Sequence, residues 1–171
     1  MAPLVVENLQ SLKDFVGREI AVTDWFTMTQ ERVRQFAEAT EDRQWIHVDR
    51  ERAEKESPYK TTIAHGFLTL SLLSYFMKQA LEIRSGMRMG INYGLNRVRF
   101  SSPVRTGSRI RARVALQSLK ELPGAAEATF FGGSGQHGWA ASAAGGRSRG
   151  EIPCVGGSGK DQRRLARSEI C

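Results

Sequence analysis

The stretch Gly66–Ile83, "GFLTLSLLSYFMKQALEI", limits the possible folds more than any other. Its apolar residues fall on almost every face of a helix, and such a helix must be covered all round. It is nearly long enough to span a bilayer, which takes about 20 residues. However, Thr69, Ser71, Ser74, Lys78, Gln79 and Glu82 interrupt it, which favours burial inside protein over a membrane span. A wrapped helix calls for a sheet to wrap it.

The rest of the chain offers strands on both sides of this helix. A short arm and helix, with Leu9, Leu12, Phe15 and Val16 at helical spacing, ends at Gly17. "REIAVTDWFTM" then has the β-branched and aromatic content of a first strand. Thr29 is placed to cap a helix "QERVRQFAEAT", and Asp49 to cap a second, "RERAEKE". After the long helix, Tyr93–Phe100 alternates. So does Arg109–Leu119, whose Ile110, Ala112, Val114 and Leu116 oppose Arg109, Arg111 and Arg113 as in a sheet with one solvated face. The order implies an α+β domain over residues 1–124.

Beyond Pro123-Gly124 the statistics change. Residues 125–171 hold ten of the seventeen glycines and both cysteines, and only "EATFF" has the content to begin a strand. Three strands would leave much of the helix bare. Gly/Ala/Arg/Ser mixtures of this kind arise when GC-rich coding DNA is translated out of frame. The expectation is therefore a poorly ordered, frameshifted tail standing where the last strands belong, with a native flexible tail as the alternative.

The net charge of +7 raises the question of nucleic acid, but Lys and Arg are scattered among Asp and Glu with no aromatic-interleaved stripe. No nucleic-acid or membrane partner is expected, and a basic surface also suits a phosphorylated carrier. Cys154 and Cys171 make no metal or redox motif, and the N-terminus lacks the basic and apolar regions of a signal peptide, so a cytoplasmic location is expected.

The residues with chemistry cluster just before and within the long helix. Asp42 and His47 could together hold and activate a water, although a solvated acid and a structural histidine would look the same in sequence. His65-Gly66 opens the helix. Glycine there permits close approach to a free N–H, where an oxygen gaining negative charge is stabilised. A tight turn capped by His65 is the plainer reading. Ser74 lies eight residues further, on the same side as Gly66, where it could reach the same cavity or bond its own helix.

The segment "DRQWIH", with "QWIHVD" and "IAHGFLTLSLL", resembles the MaoC-like, R-specific enoyl-CoA hydratases, and most of all their nodulation-protein-N-like branch. The resemblance runs from about Gly17 to Pro123. Gln44 and Trp45 stand where that family has Asn-Pro. It implies a hotdog fold, an antiparallel sheet wrapped around the long helix, working as a homodimer. It also implies hydration of a trans-2-enoyl-CoA to the R-3-hydroxyacyl-CoA, or the reverse, with coenzyme A present only as part of the substrate and no other cofactor or metal. Asp42 and His47 would hold the water, Gly66 with His65 would bind the thioester oxygen, and Ser74 would support Asp42. Two other functions remain open for a hotdog cavity: a non-catalytic acyl-thioester binder, and a thioesterase. The thioesterase is disfavoured because the helix offers no acid before Glu82.

Overall fold

The computed structural model describes residues 2–134 and 137–146. Its main sheet is antiparallel and five-stranded, in the order β2 (Arg18–Val22), β7 (Arg113–Leu122), β8 (Ala125–Ser134), β9 (His137–Gly146) and β5 (Met89–Arg99). Two small pairs flank it. β1 (Leu4–Val6) runs parallel to β4 (Leu81–Ile83), and β3 (Phe26–Thr27) antiparallel to β6 (Arg109–Ile110).

Against one face of the sheet lies the long helix, in two pieces: α4 (Gly66–Ser71) and α5 (Leu73–Ala80), with a single non-helical residue, Leu72, between them. Leu68, Leu72, Phe76 and Ala80, four residues apart, are buried against Ile110, Ala112, Val114 and Leu116 and against Ala128 and Phe130. This is the hotdog arrangement. The predicted alternation holds from Arg109 to Leu116, across β6 and the start of β7, with Arg109 and Arg113 exposed and Arg111 partly so, and a register shift after Leu116 ends it.

Both predicted caps form. The Thr29 hydroxyl accepts from Arg32 N–H at 3.3 Å to start α1 (Gln30–Thr40), and Asp49 Oδ1 accepts from Arg52 N–H at 3.0 Å to start α3 (Arg50–Glu56). Each satisfies an N–H that the helix itself leaves unpaired.

Four expectations change. The long helix ends at Ala80 rather than Ile83, because residues 81–83 extend to pair with β1. It is also not covered all round: Phe67 is 69% and Tyr75 45% exposed. The first strand is divided, because Thr23 leaves the ladder and exchanges backbone and side-chain hydrogen bonds with Ala112.

The sheet, lastly, does not stop at Gly124. With φ +73° Gly124 turns the chain into β8, and residues 125–134 and 137–146 fill the third and fourth positions of the sheet. Backbone ladders need no side-chain bulk, so strands of alanine and glycine pair while showing little hydrophobic alternation. In β8 the alternation is present but muted: Ala126, Ala128 and Phe130 point inward while Phe131 is exposed. The expected tail beyond residue 146 lies outside the described residues.

Candidate active site

The left-handed Glu41 (φ 59°) ends α1 and turns the chain into the Asp42 segment. Arg43 pairs with Glu38 and Glu41, both at 2.7 Å, which ties this segment to the solvent side of α1. A short helix, α2 (Trp45–Val48), follows and was missed in sequence because a single turn has no periodicity to read. It carries His47 inward. Trp45 stacks under the Arg52 guanidinium at 4.5 Å.

Two backbone carbonyls fix the imidazoles. His47 Nδ1 lies 2.7 Å from Ile63 O, and His65 Nε2 lies 2.9 Å from Asp42 O. A carbonyl can only accept, so each of these nitrogens donates. The protonated Nδ1 leaves His47 Nε2 with its lone pair free to act as a base. The rings of His47 and His65 stack with centroids 3.8 Å apart and planes inclined by 29°, and the Phe36 ring centroid lies 5.1 Å from that of His65.

Behind them Gln30 donates to His47 O at 2.7 Å and accepts from the Thr62 hydroxyl, which also meets Thr106 Oγ1 at 2.7 Å. This network, centred on the buried Thr62, fixes the loop that presents Ile63. Nothing in the sequence spacing pointed to Gln30, Thr62 or Thr106.

Burial pushes the His47 pKa down, and His65 adds to the shift. The hydrogen bond to Ile63 and the Asp42 charge oppose it only in part. The ring is therefore kept neutral. The Asp42 side chain, by contrast, is 57% exposed, with Oδ2 3.9 Å from His65 Nε2. A neutral base beside a solvated carboxylate can take up and orient one water.

Donor atoms of Asp42, His47 and His65 lie within 4.8 Å of one another, a set that could hold a metal ion. Tetrahedral zinc ligands stand about 3.3 Å apart, so the donors would have to draw together first. His65 Nδ1 is buried without a hydrogen-bond partner among the described residues.

Gly66 is the first residue of α4, and its N–H has no acceptor within the helix. A Cβ at this position would stand 2.9 Å from the Phe100 ring, so the glycine is also required for packing. Ser74 is not brought to Asp42. Its hydroxyl instead accepts from Asn92 Nδ2 at 3.1 Å, and the side chain that meets Asp42 is His65. Ser74 lines a cavity of about 830 Å³ between α4–α5, β5 and β8, together with Leu70, Met77, Ile91, Leu95 and Phe130. Gln44 and Trp45 do not line it.

The sequence model of the MaoC like domain matches residues 12–127. The 3-hydroxyacyl-thioester dehydratase Z of Mycobacterium tuberculosis is 48% identical over 116 residues, covering 68% of this chain and 76% of its own. Nodulation protein N of Rhizobium leguminosarum bv. viciae is 50% identical over 113 residues, covering 66% and 70%. Among solved structures, the R-hydratase PhaJ1 of Pseudomonas aeruginosa superposes with a TM-score of 0.59 at 20% identity, over 84% of this chain and 92% of that one.

The fold is that of the hotdog class, and the family match with the 48% identical dehydratase makes the chain a hydro-lyase. Within that class the chain belongs to the MaoC-like family.

Proposed function

We propose that the protein is an R-specific enoyl-CoA hydratase, adding water to a trans-2-enoyl-CoA or removing it from the R-3-hydroxyacyl-CoA, in the cytoplasm and as a homodimer. The observation that carries this reading is the neutral His47, its Nε2 left free by the bond to Ile63, next to the exposed carboxylate of Asp42.

Asp42 and His47 Nε2 hold the water. Its oxygen bonds to C3 while its proton passes to Nε2. The C2=C3 pair moves toward the thioester, and the oxygen gaining charge is met by the Gly66 N–H. Such a donor is worth about 2.7–4 kcal/mol in the barrier. Return of the proton from His47 to C2, on the same face, restores the carbonyl and frees the base. All atoms come from water and substrate and the step is redox-neutral, so no redox cofactor is called for, and our reading uses no metal. The acyl chain takes the cavity behind Ser74, and Arg97 and Arg99 are candidates for the CoA phosphates.

A second copy would cover the apolar surface that the monomer leaves open. On the edge strand β5, Met89 and Tyr93, which do not line the cavity, are 51% and 42% exposed, and Phe67 and Tyr75 are exposed on the helix.

The decisive measurement is loss of enoyl-thioester absorbance with crotonyl-CoA and longer enoyl-CoAs, with the product's configuration read on a chiral column. R-3-hydroxyacyl-CoA is expected. Formation of the S product, or acyl-CoA binding without turnover, would overturn the reading, and the latter would favour a non-catalytic binder.

A further inference from the structure

The cavity follows one stripe of the long helix. Leu70, Ser74 and Met77 line it at spacings of three or four residues that continue from Gly66, and Leu81, the first residue of β4, lines it beyond the end of the helix. From Leu70 to the end of α5 at Ala80 the helical rise amounts to about 15 Å. At C–C bonds near 1.5 Å and tetrahedral angles, that length takes an extended chain of about a dozen carbons.

At the far end the cavity meets the N-terminal arm. Leu9 and Leu12, from the 3-10 turn Leu9–Phe15, line it together with Leu81 and Ile83 of β4. The arm is firmly held. β1 pairs with β4, and the Arg84 and Ser85 N–H groups donate to Val6 O and Glu7 O at 3.0 and 2.9 Å. The Arg84–Glu7 and Lys13–Glu121 ion pairs, at 2.9 and 2.7 Å, hold it from outside, and Leu12 is fully buried. Leu9 is only partly buried and precedes the segment matched by the MaoC like domain.

We propose that the arm is the closed end of the acyl cavity and that Leu9 sets the longest acyl chain accepted, the substrates being straight-chain acyl thioesters of up to about a dozen carbons. The proposal rests on the reading of the cavity as the acyl site. Because the arm is pinned by β4, it acts as a fixed stop. Side-chain volume at position 9 then sets the usable length directly.

The test compares wild type with Leu9→Ala, Leu9→Phe and Leu9→Trp on octenoyl-, dodecenoyl- and hexadecenoyl-CoA. In parallel, calorimetry measures the affinity of each protein for the corresponding saturated acyl-CoAs. Wild-type kcat/KM is expected to fall beyond dodecenoyl-CoA. The hexadecenoyl-to-octenoyl ratio should rise by about tenfold in Leu9→Ala and fall by about tenfold in the aromatic variants, the range that a methylene or two commands in an apolar pocket. Ratios of Kd should move the same way. If Leu9→Trp fails to fold by circular dichroism, Leu9→Ala and Leu9→Phe still decide. Turnover with unchanged ratios overturns the arm and leaves the hydratase standing. Shifted Kd ratios without turnover do the reverse. Unchanged Kd ratios without turnover overturn both.

Discussion

His47 is the residue on which the chemistry turns, and its neutrality comes from burial. His47→Asn and Asp42→Asn should each lower kcat by at least about 100-fold, as expected for removal of a positioned acid–base group, with the circular dichroism spectrum unchanged. Near-wild-type rates in either variant would remove that residue from the mechanism. The pH profile follows from the direction of the shift. A base must be neutral to act, so the acid limb of kcat/KM should fall below the ordinary histidine value of about 6.5. The same lowering makes the unfolded state bind the proton more readily than the folded one. The stability tied to neutral His47 is thus fully present above about pH 6.5 and is lost as pH falls through the lowered folded value, which urea midpoints across that window will register.

Gly66 offers a further test at this scale. Gly66→Ala must displace the Phe100 ring, and such overpacking costs about 1–3 kcal/mol. Adding Phe100→Ala should recover part of the lost Tm; no recovery would mean that the contact is not the cause.

At the scale of elements, much was legible from the sequence because local chemistry decides it. Thr29 and Asp49 cap the helices they precede, and the alternation from Ile110 to Leu116 gives the buried face of a strand. What was not legible depends on partners distant in sequence. Residues 81–83 leave the helix because β1, some seventy-seven residues earlier, offers them a ladder. His65 reaches Asp42 across 23 residues, and Ser74 is drawn to Asn92 on β5 instead. Strands β8 and β9 were hidden by small side chains that carry little pattern. The packing of α5 under the sheet hinges on Phe76, 2% exposed. Phe76→Ala is expected to destabilise by about 3–5 kcal/mol in denaturant melts, and a loss below about 1 kcal/mol would show that the helix is not held from this side.

For the whole molecule, the question is what closes the open side. A monomer with 19.0 kDa of mass leaves β5 as a sheet edge bordered by large apolar side chains, a template for pairing with another chain. Analytical ultracentrifugation should therefore return twice the chain mass at micromolar concentration. Phe67→Glu, which places a charge on the exposed apolar surface of the helix, should shift the equilibrium toward the single chain. A wild-type monomer at such concentrations would mean that this surface serves something other than self-association.

The acceptors that orient the two histidines belong to the main chain, at Ile63 and Asp42. A side-chain acceptor can be lost by one codon change, whereas a peptide oxygen persists whatever amino acid is encoded there and can only be moved. The proton arrangement of the site is thus insulated from drift at the positions around it. This gives a physical reason why a Gln44–Trp45 pair can stand between Asp42 and His47 without disturbing which nitrogen holds the lone pair.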